Sequence, residues 1–300
     1  MRFLSHVVFI FLVSGAIAGA DTVTLETYGD SLTAGFLANT LLTNPPPISE
    51  LSKTLQNLAF AFLQKDRTLL KQFESNENAW PYFFAKNLAR EGIVVSEVVN
   101  LAISGSRSSE IPRQVKQRGV SSAHTWALFF VGHNDLCHVP GDSTVLTQQF
   151  QEHLNAAMEE WEKNHEGSNV FLIPAAPIYE LYPVLDNYTW FESEKKSFKC
   201  QDAWTKYFPY CAHFFQRYKK GELESYLKPR TQALNSSLEE IAKKWDSKSS
   251  GKNTYRFLEA QWPSPLRPEL FAMDCYHIAA PGQQIFAENI LAAIQKLLKR

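Results

Sequence analysis

The chain has 300 residues, 45% of them apolar, which is enough to bury a sizeable core as one large domain or two small ones. Its 30 basic and 31 acidic residues leave a formal net charge of -1, which excludes a strong electrostatic pull toward nucleic acid or an anionic membrane.

The first segment reads as a leader. Arg2 precedes an apolar run from Val7 to Ala18, which ends in the small-x-small pattern Ala18-Gly19-Ala20 before Asp21. The run is shorter than the roughly 18 residues a membrane-spanning helix needs. A signal peptide over 1–20 is therefore expected, leaving a secreted or periplasmic chain from residue 21. No later segment is long and apolar enough to span a membrane.

Thr22 to Tyr28 predicts a short strand entering a tight turn at Gly29-Asp30, with a helix from Leu32. Asn44-Pro45-Pro46-Pro47 is a loop. Leu51 to Phe73 has helical apolar spacing, and Trp80 to Glu91 predicts a second amphipathic helix ending at Gly92. Val94 to Leu101 is strand-like. Ala127 to Val131 is a continuous apolar run, the mark of a parallel strand buried on both faces. A helix follows over Phe150–Lys163, a buried strand over Val170–Ile173, a helix over Pro229–Trp245 and a short strand over Tyr255–Leu258. The last helix, Pro281–Leu298, has proline in its first turn and an apolar stripe. Strands alternating with helices imply a parallel sheet covered on both sides. No repeat and no clean linker divides the chain. A single domain over 21–300 is expected, with insertions near 39–79 and 179–252.

Export would make disulfides of the four cysteines, Cys137, Cys200, Cys211 and Cys275, although buried thiols are the plain alternative. Of the three pairings, Cys200 with Cys211 is favoured by closeness in sequence, leaving Cys137 for Cys275. No Cys-x-x-Cys or His-x-x-x-His spacing suggests a metal.

Four short segments carry chemistry-bearing residues. Gly29-Asp30-Ser31-Leu32 puts a serine at a strand-to-helix turn, where its hydroxyl is exposed and its N–H can hold an oxyanion; taken alone, Ser31 is equally a helix cap. Gly105, in Asn100-Leu101-Ala102-Ile103-Ser104-Gly105-Ser106, lets the backbone approach a ligand or simply makes a turn. Gly132-His133-Asn134-Asp135 follows a predicted strand, and Asn134 can donate its amide or close an Asx turn. Asp274-Cys275-Tyr276-His277 precedes the last helix. Its spacing lets Asp274 orient the imidazole of His277 as a base for Ser31. Each segment alone has a structural explanation, but all four fall at strand ends or before a helix. Open α/β sheets bind ligands at the carboxyl ends of their strands.

In that order the segments resemble the conserved blocks of the SGNH/GDSL hydrolase superfamily, with Ser31, Gly105, Asn134 and His277 in the four naming positions and Asp274 completing Asp-x-x-His. The resemblance implies a three-layer α/β/α flavodoxin-like fold around a mostly parallel sheet. It implies carboxylic ester hydrolysis through an acyl-enzyme, with Ser31, Asp274 and His277 catalytic. Ser31 N–H, Gly105 N–H and Asn134 would form the oxyanion hole, and no cofactor or metal is needed. Two departures stand out. The first strand is more polar than the family's, so Glu26 would face a polar site wall or an edge. Position 133 holds His where the family often has a small residue, which makes His133 either a pocket residue or a structural histidine; His138 reads as loop.

The substrate is less constrained. Gly-His-Asn-Asp-Leu-Cys resembles the Gly-Gly-Asn-Asp-Leu-Cys of phospholipase B-like members, which points to lipid or phospholipid acyl esters and to transient contact with lipid surfaces. Carbohydrate acetyl esters are the alternative, as is acyl transfer from the same acyl-enzyme. A non-catalytic binding module would be expected to have lost the site residues, and the Gly-x-Ser-x-Gly elbow of α/β-hydrolases is absent. The aromatic segment from Asn187 to Tyr218 predicts a lid for an acyl chain or a loop-rich subcore. Asn187 and Asn235 begin glycosylation sequons.

Overall fold

The computed structural model describes residues 22–120, 124–138, 143–193, 195–207 and 211–299. The expected signal peptide lies outside them. Among the described residues no helix is long and apolar enough to cross a membrane.

In chain order, strand β1 (Thr22–Gly29) runs into a one-turn helix α1 (Ser31–Ala34). Helices α2 (Ile48–Gln64), α3 (Arg67–Lys71) and α4 (Trp80–Arg90) lead to β2 (Val94–Asn100) and α5 (Ile111–Arg118). Strand β3 (Thr125–Phe130) is followed by α6 (His133–His138), α7 (Ser143–Asn164) and β4 (Asn169–Ile173). Then come α8 (Leu181–Leu185), a hairpin of β5 (Thr189–Ser193) and β6 (Lys196–Lys199), α9 (Cys200–Asp202) and α10 (Ala212–Lys219). The chain ends with α11 (Lys228–Lys248), β7 (Thr254–Phe257) and α12 (Ala280–Leu298).

Five strands form a wholly parallel sheet in the order β2-β1-β3-β4-β7, the flavodoxin-like arrangement, with its switch point between β1 and β3. Helices α4 and α12 pack together over one face, and α5, α7 and α11 over the other, giving three layers. Every residue of β3 is buried, as its unbroken apolar run requires of a central strand. The register pairs Gly29 with Phe130 and Thr27 with Asn100, so the turns after β1, β2 and β3 open side by side. Gly29 is needed there: a Cβ would stand 2.1 Å from the Phe130 carbonyl oxygen.

Several expectations are corrected. Glu26 is neither at an edge nor at a site wall. Its strand is interior, and its fully buried carboxylate accepts from the Tyr28 hydroxyl at 2.7 Å and from Arg118 Nε at 2.8 Å. Arg118, reaching in from the end of α5, is what makes a carboxylate tolerable there. The single helix expected over Leu51–Phe73 is two. Lys65 adopts a left-handed conformation (φ 53°), and Asp66 caps a new helix by accepting from Leu69 N–H at 3.0 Å. His138 ends a helix and is not in a loop.

The aromatic segment forms a subcore. Trp204 packs on Tyr182 at 5.1 Å and on Phe215 at 5.0 Å, and all three are buried. Of the two sequon asparagines, Asn187 is exposed, whereas Asn235 is bonded to Ala175 through both amide atoms, which sets its nitrogen against glycan attachment.

Candidate active site

Ser31 opens α1, where the preceding Asp30 acts as cap: its Oδ1 accepts from Leu32 N–H at 3.1 Å. The remaining carboxylate oxygen faces His133. Phe36, just beyond α1, lies against the His277 ring with centroids 4.9 Å apart.

His277 comes from the loop before α12. Its Nε2 is 2.7 Å from Ser31 Oγ and its Nδ1 is 2.6 Å from Asp274 Oδ2. Asp274 is fully buried, and its other oxygen accepts from the N–H groups of Tyr276 and His277, both at 3.0 Å. Burial pushes its carboxyl up, but the His277 ring and the backbone donors outweigh this and hold it below the ordinary range. An ionised Asp274 fixes the proton on Nδ1 and leaves Nε2 as acceptor for the serine hydroxyl. Cys275 makes the tight loop by adopting φ 60°. Gln283 of α12 holds the rear, donating to Leu32 and Ile278 carbonyls and accepting from Trp80 N–H.

Gly105 lies in the turn after β2 with φ 80°, a conformation L side chains rarely adopt, and a Cβ would stand 3.2 Å from the Phe62 ring. Asn134, in the first turn of α6, donates from Nδ2 to the Ser106 carbonyl at 2.9 Å. That bond uses one of its two amide protons. Gly105 and Asn134 line one cavity of about 200 Å³, together with Phe62, Leu63 and Leu70 from the α2–α3 corner. None of the described residues of the aromatic segment lines that cavity. Ser31, His277 and Asp274 thus form one hydrogen-bonded series, while Gly105 and Asn134 follow β2 and β3, whose carboxyl ends lie on the same side of the parallel sheet as that of β1. Among the described residues no group of three or more His, Cys, Asp or Glu is placed to hold a metal ion.

Several side chains support the site, and of these Gln114, Glu74 and His153 gave no signal in the sequence. Gln114, fully buried on α5, accepts from Gly29 N–H at 3.0 Å and donates to the Gly29 carbonyl at 2.8 Å, clamping the end of β1. Glu74 receives the Ser104 hydroxyl at 2.6 Å and steadies the Gly105 turn. Asp135 accepts from the N–H and hydroxyl of Ser108, and Ser108 meets His153 at 2.9 Å. Burial pushes the Asp135 carboxyl up, against the opposing Ser108 bonds.

The disulfides join Cys137 to Cys211 and Cys200 to Cys275, not Cys200 to Cys211 and Cys137 to Cys275. Cys200 starts a helical turn that continues in π form through Ala203–Tyr207, so it and Cys211 face different neighbours. Their Cα atoms lie 5.5 Å from Cys275 and 4.6 Å from Cys137, within bonding range. Trp204 Nε1 adds a hydrogen bond to the Cys275 carbonyl at 3.1 Å. The subcore is thus fastened to α6, which carries Asn134, and to the loop that carries the Asp274–His277 pair.

An α/β hydrolase from the metagenome of Lake Arreo, Spain, has a similar fold: TM-score 0.52, 14% identity, 93% of this chain and 97% of that chain covered. An extracellular lipase from Streptomyces rimosus (TM-score 0.44, 13% identity, 91% and 100% covered) also matches. So does an acetylxylan esterase from Geobacillus stearothermophilus (TM-score 0.45, 13% identity, 91% and 94% covered). No curated protein sequence matches the chain. The family model for GDSL-like lipase/acylhydrolase spans residues 25–290, across all the segments that build the site, and the chain belongs to that family.

Proposed function

We propose that this chain is a secreted serine esterase that hydrolyses lipid or phospholipid acyl esters. The observation that carries the reading is the unbroken series Ser31 Oγ–His277 Nε2–Asp274, at 2.7 and 2.6 Å. Ser31 attacks the ester carbonyl while His277 takes the hydroxyl proton, and Asp274 stabilises the imidazolium. The oxyanion is received by the Ser31 and Gly105 N–H groups and the free amide proton of Asn134. His277 returns the proton to the departing alcohol, and water, activated by the same histidine, releases the acid. The scheme needs no cofactor.

Preference for lipid is supported by α2, which exposes Phe60 and Leu63 (59% and 64%) where Phe62 and Leu63 border the cavity. Apolar side chains at the mouth favour an acyl chain or a lipid surface over water. Export is supported by the leader pattern and by two disulfides, which persist in oxidising compartments. We take 21–300 as one hydrolase domain.

The test is hydrolysis of chromogenic esters from acetyl to long acyl chains by the mature protein and its Ser31→Ala variant. Turnover that rises with chain length and disappears in the variant is expected. Cleavage of acetyl esters alone moves the reading to sugar deacetylation, acyl transfer to an added alcohol moves it to a transferase, and full activity in the variant removes Ser31 as nucleophile.

A further inference from the structure

The cavity beside Gly105 and Asn134 measures about 200 Å³, below the roughly 300–1,000 Å³ of sites that enclose a drug-sized ligand. It suits one group of a substrate, not the whole. Its walls differ in character. Phe62 and Leu70 supply an apolar side, while Lys65, Arg67 and Arg107 bring three cations against one carboxylate, Glu110.

Glu110 is engaged. It pairs with Arg67, with side chains 27% and 37% exposed, and accepts the Arg107 N–H at 3.4 Å. This pair ties the corner between α2 and α3 to the turn that follows Gly105. Lys65 and Arg107 take part in no ion pair like that of Arg67 with Glu110 among the described residues, although the buried Asp135 carboxyl lies within electrostatic reach of Arg107. Lys65 is anchored by its backbone, which caps α2 in a left-handed conformation. His138 on the same wall registers the positive field: burial first, then Arg107, Lys65 and His213, hold its imidazole below the ordinary value. With Glu110 taken up by Arg67, the lining of this cavity carries more cationic than anionic side chains. The whole chain, by contrast, has a net charge of -1, so this excess is local.

We propose that Lys65, Arg67 and Arg107 form an anion subsite beside the scissile ester that selects acyl esters bearing a phosphate monoester. The proposal rests on the esterase reading of the same site. Near neutral pH a phosphate monoester carries about -1.5 to -2 charges, which a wall richer in cations than in carboxylates favours over a neutral ester; a single carboxylate would gain less. Arginine forks take phosphate oxygens in pairs, and lysine adds a mobile point charge.

The experiment compares 1-butyrylglycerol 3-phosphate with 1-butyrylglycerol. The wild-type protein should favour the phosphorylated ester in kcat/KM by about tenfold or more, the ratio that roughly 1.4 kcal/mol of added contact yields. The difference should lie mainly in KM and shrink as salt is raised. In Lys65→Gln/Arg107→Gln the ratio should fall toward one, and Lys65→Arg should keep it, which separates charge from misfolding. A wild-type ratio near one, or an unchanged ratio in the double variant, overturns the subsite. Should neither ester turn over, the esterase reading fails by itself. The subsite is then decided by calorimetric titration of Ser31→Ala protein with glycerol 3-phosphate: binding abolished by K65Q/R107Q upholds it, and no binding removes it. Faster cleavage of the 1-palmitoyl phosphate, offered as monomers, would identify a lipid source for the phosphate. Faster cleavage of the butyryl compound would identify a soluble one; both uphold the subsite.

Discussion

His133 Nδ1 lies 2.8 Å from Asp30 Oδ2, and His133 Nε2 accepts the Ala176 N–H at 2.7 Å. A nitrogen that accepts carries no proton, so the proton sits on Nδ1 and is donated to Asp30. One neutral ring thus joins the turns after β1, β3 and β4, and it does so behind the residue that caps the Ser31 turn. His133→Ala leaves the Asp30 carboxylate and the Ala176 N–H buried without this partner, at a cost of about 1–3 kcal/mol for each group left unsatisfied. Urea unfolding should show that loss, with a lower kcat from the loosened serine turn. A variant as stable and as active as the wild type would leave His133 without a structural role.

Asn134→Ala should lower kcat by about 10²–10³ with little change in KM, because the oxyanion exists only in the transition state. Steady-state kinetics on one ester reads this directly, and a rise in KM alone would remove Asn134 from the oxyanion hole. Gly105→Ala should do similar damage by another route. Its φ of 80° strains any L side chain, and the added methyl meets Phe62.

Asp274 is held below its ordinary pKa, despite burial, by His277 and two backbone N–H groups. A depressed carboxyl contributes stability that is fully present above its unfolded value of about 3.9 and is lost as pH falls through the folded value. Asp274→Asn should therefore be less stable than wild type at neutral pH, and the gap should narrow below about pH 4. Chemical unfolding at both pH values measures it; a gap independent of pH contradicts the assignment. The same variant should lose kcat by about 10⁴, since the amide favours the wrong histidine tautomer.

The parts of the site that lie within a few residues of each other were legible in the sequence. Gly29-Asp30-Ser31 and Asp274-x-x-His277 are local, and their geometry follows from one turn of chain. The alternation of strand and helix gave the three layers because buried parallel strands such as β3 must be apolar on both faces. What stayed hidden depends on contacts between distant segments. Gln114 is a polar residue on an ordinary helix until Gly29 is placed opposite it, 85 residues away. Glu26 looked like an edge or site residue because nothing local announces Arg118. Closeness in sequence favoured Cys200–Cys211, but pairing follows which loops the subcore touches.

That pairing carries the last prediction. Cys137 is three residues beyond Asn134, and Cys275 lies between Asp274 and His277, so both bonds end inside the site. Each closes a loop of about 75 residues, for which the chain-entropy account gives about 4 kcal/mol. Non-reducing peptide mapping should recover links 137–211 and 200–275; a 200–211 link would contradict the arrangement. Cys200→Ser/Cys275→Ser should lose stability and also kcat, because the Asp274–His277 loop then keeps its own hydrogen bonds and the Trp204 bond but loses its covalent tie to the subcore. Cys137→Ser/Cys211→Ser should leave the Ser31–His277–Asp274 series closed and affect chiefly the oxyanion side. Active-site labelling by a phosphonate separates the two, since it needs the activated serine first. Labelling should slow more in the 200–275 variant than in the 137–211 variant, and equal rates would mean that the subcore supports both segments through packing alone.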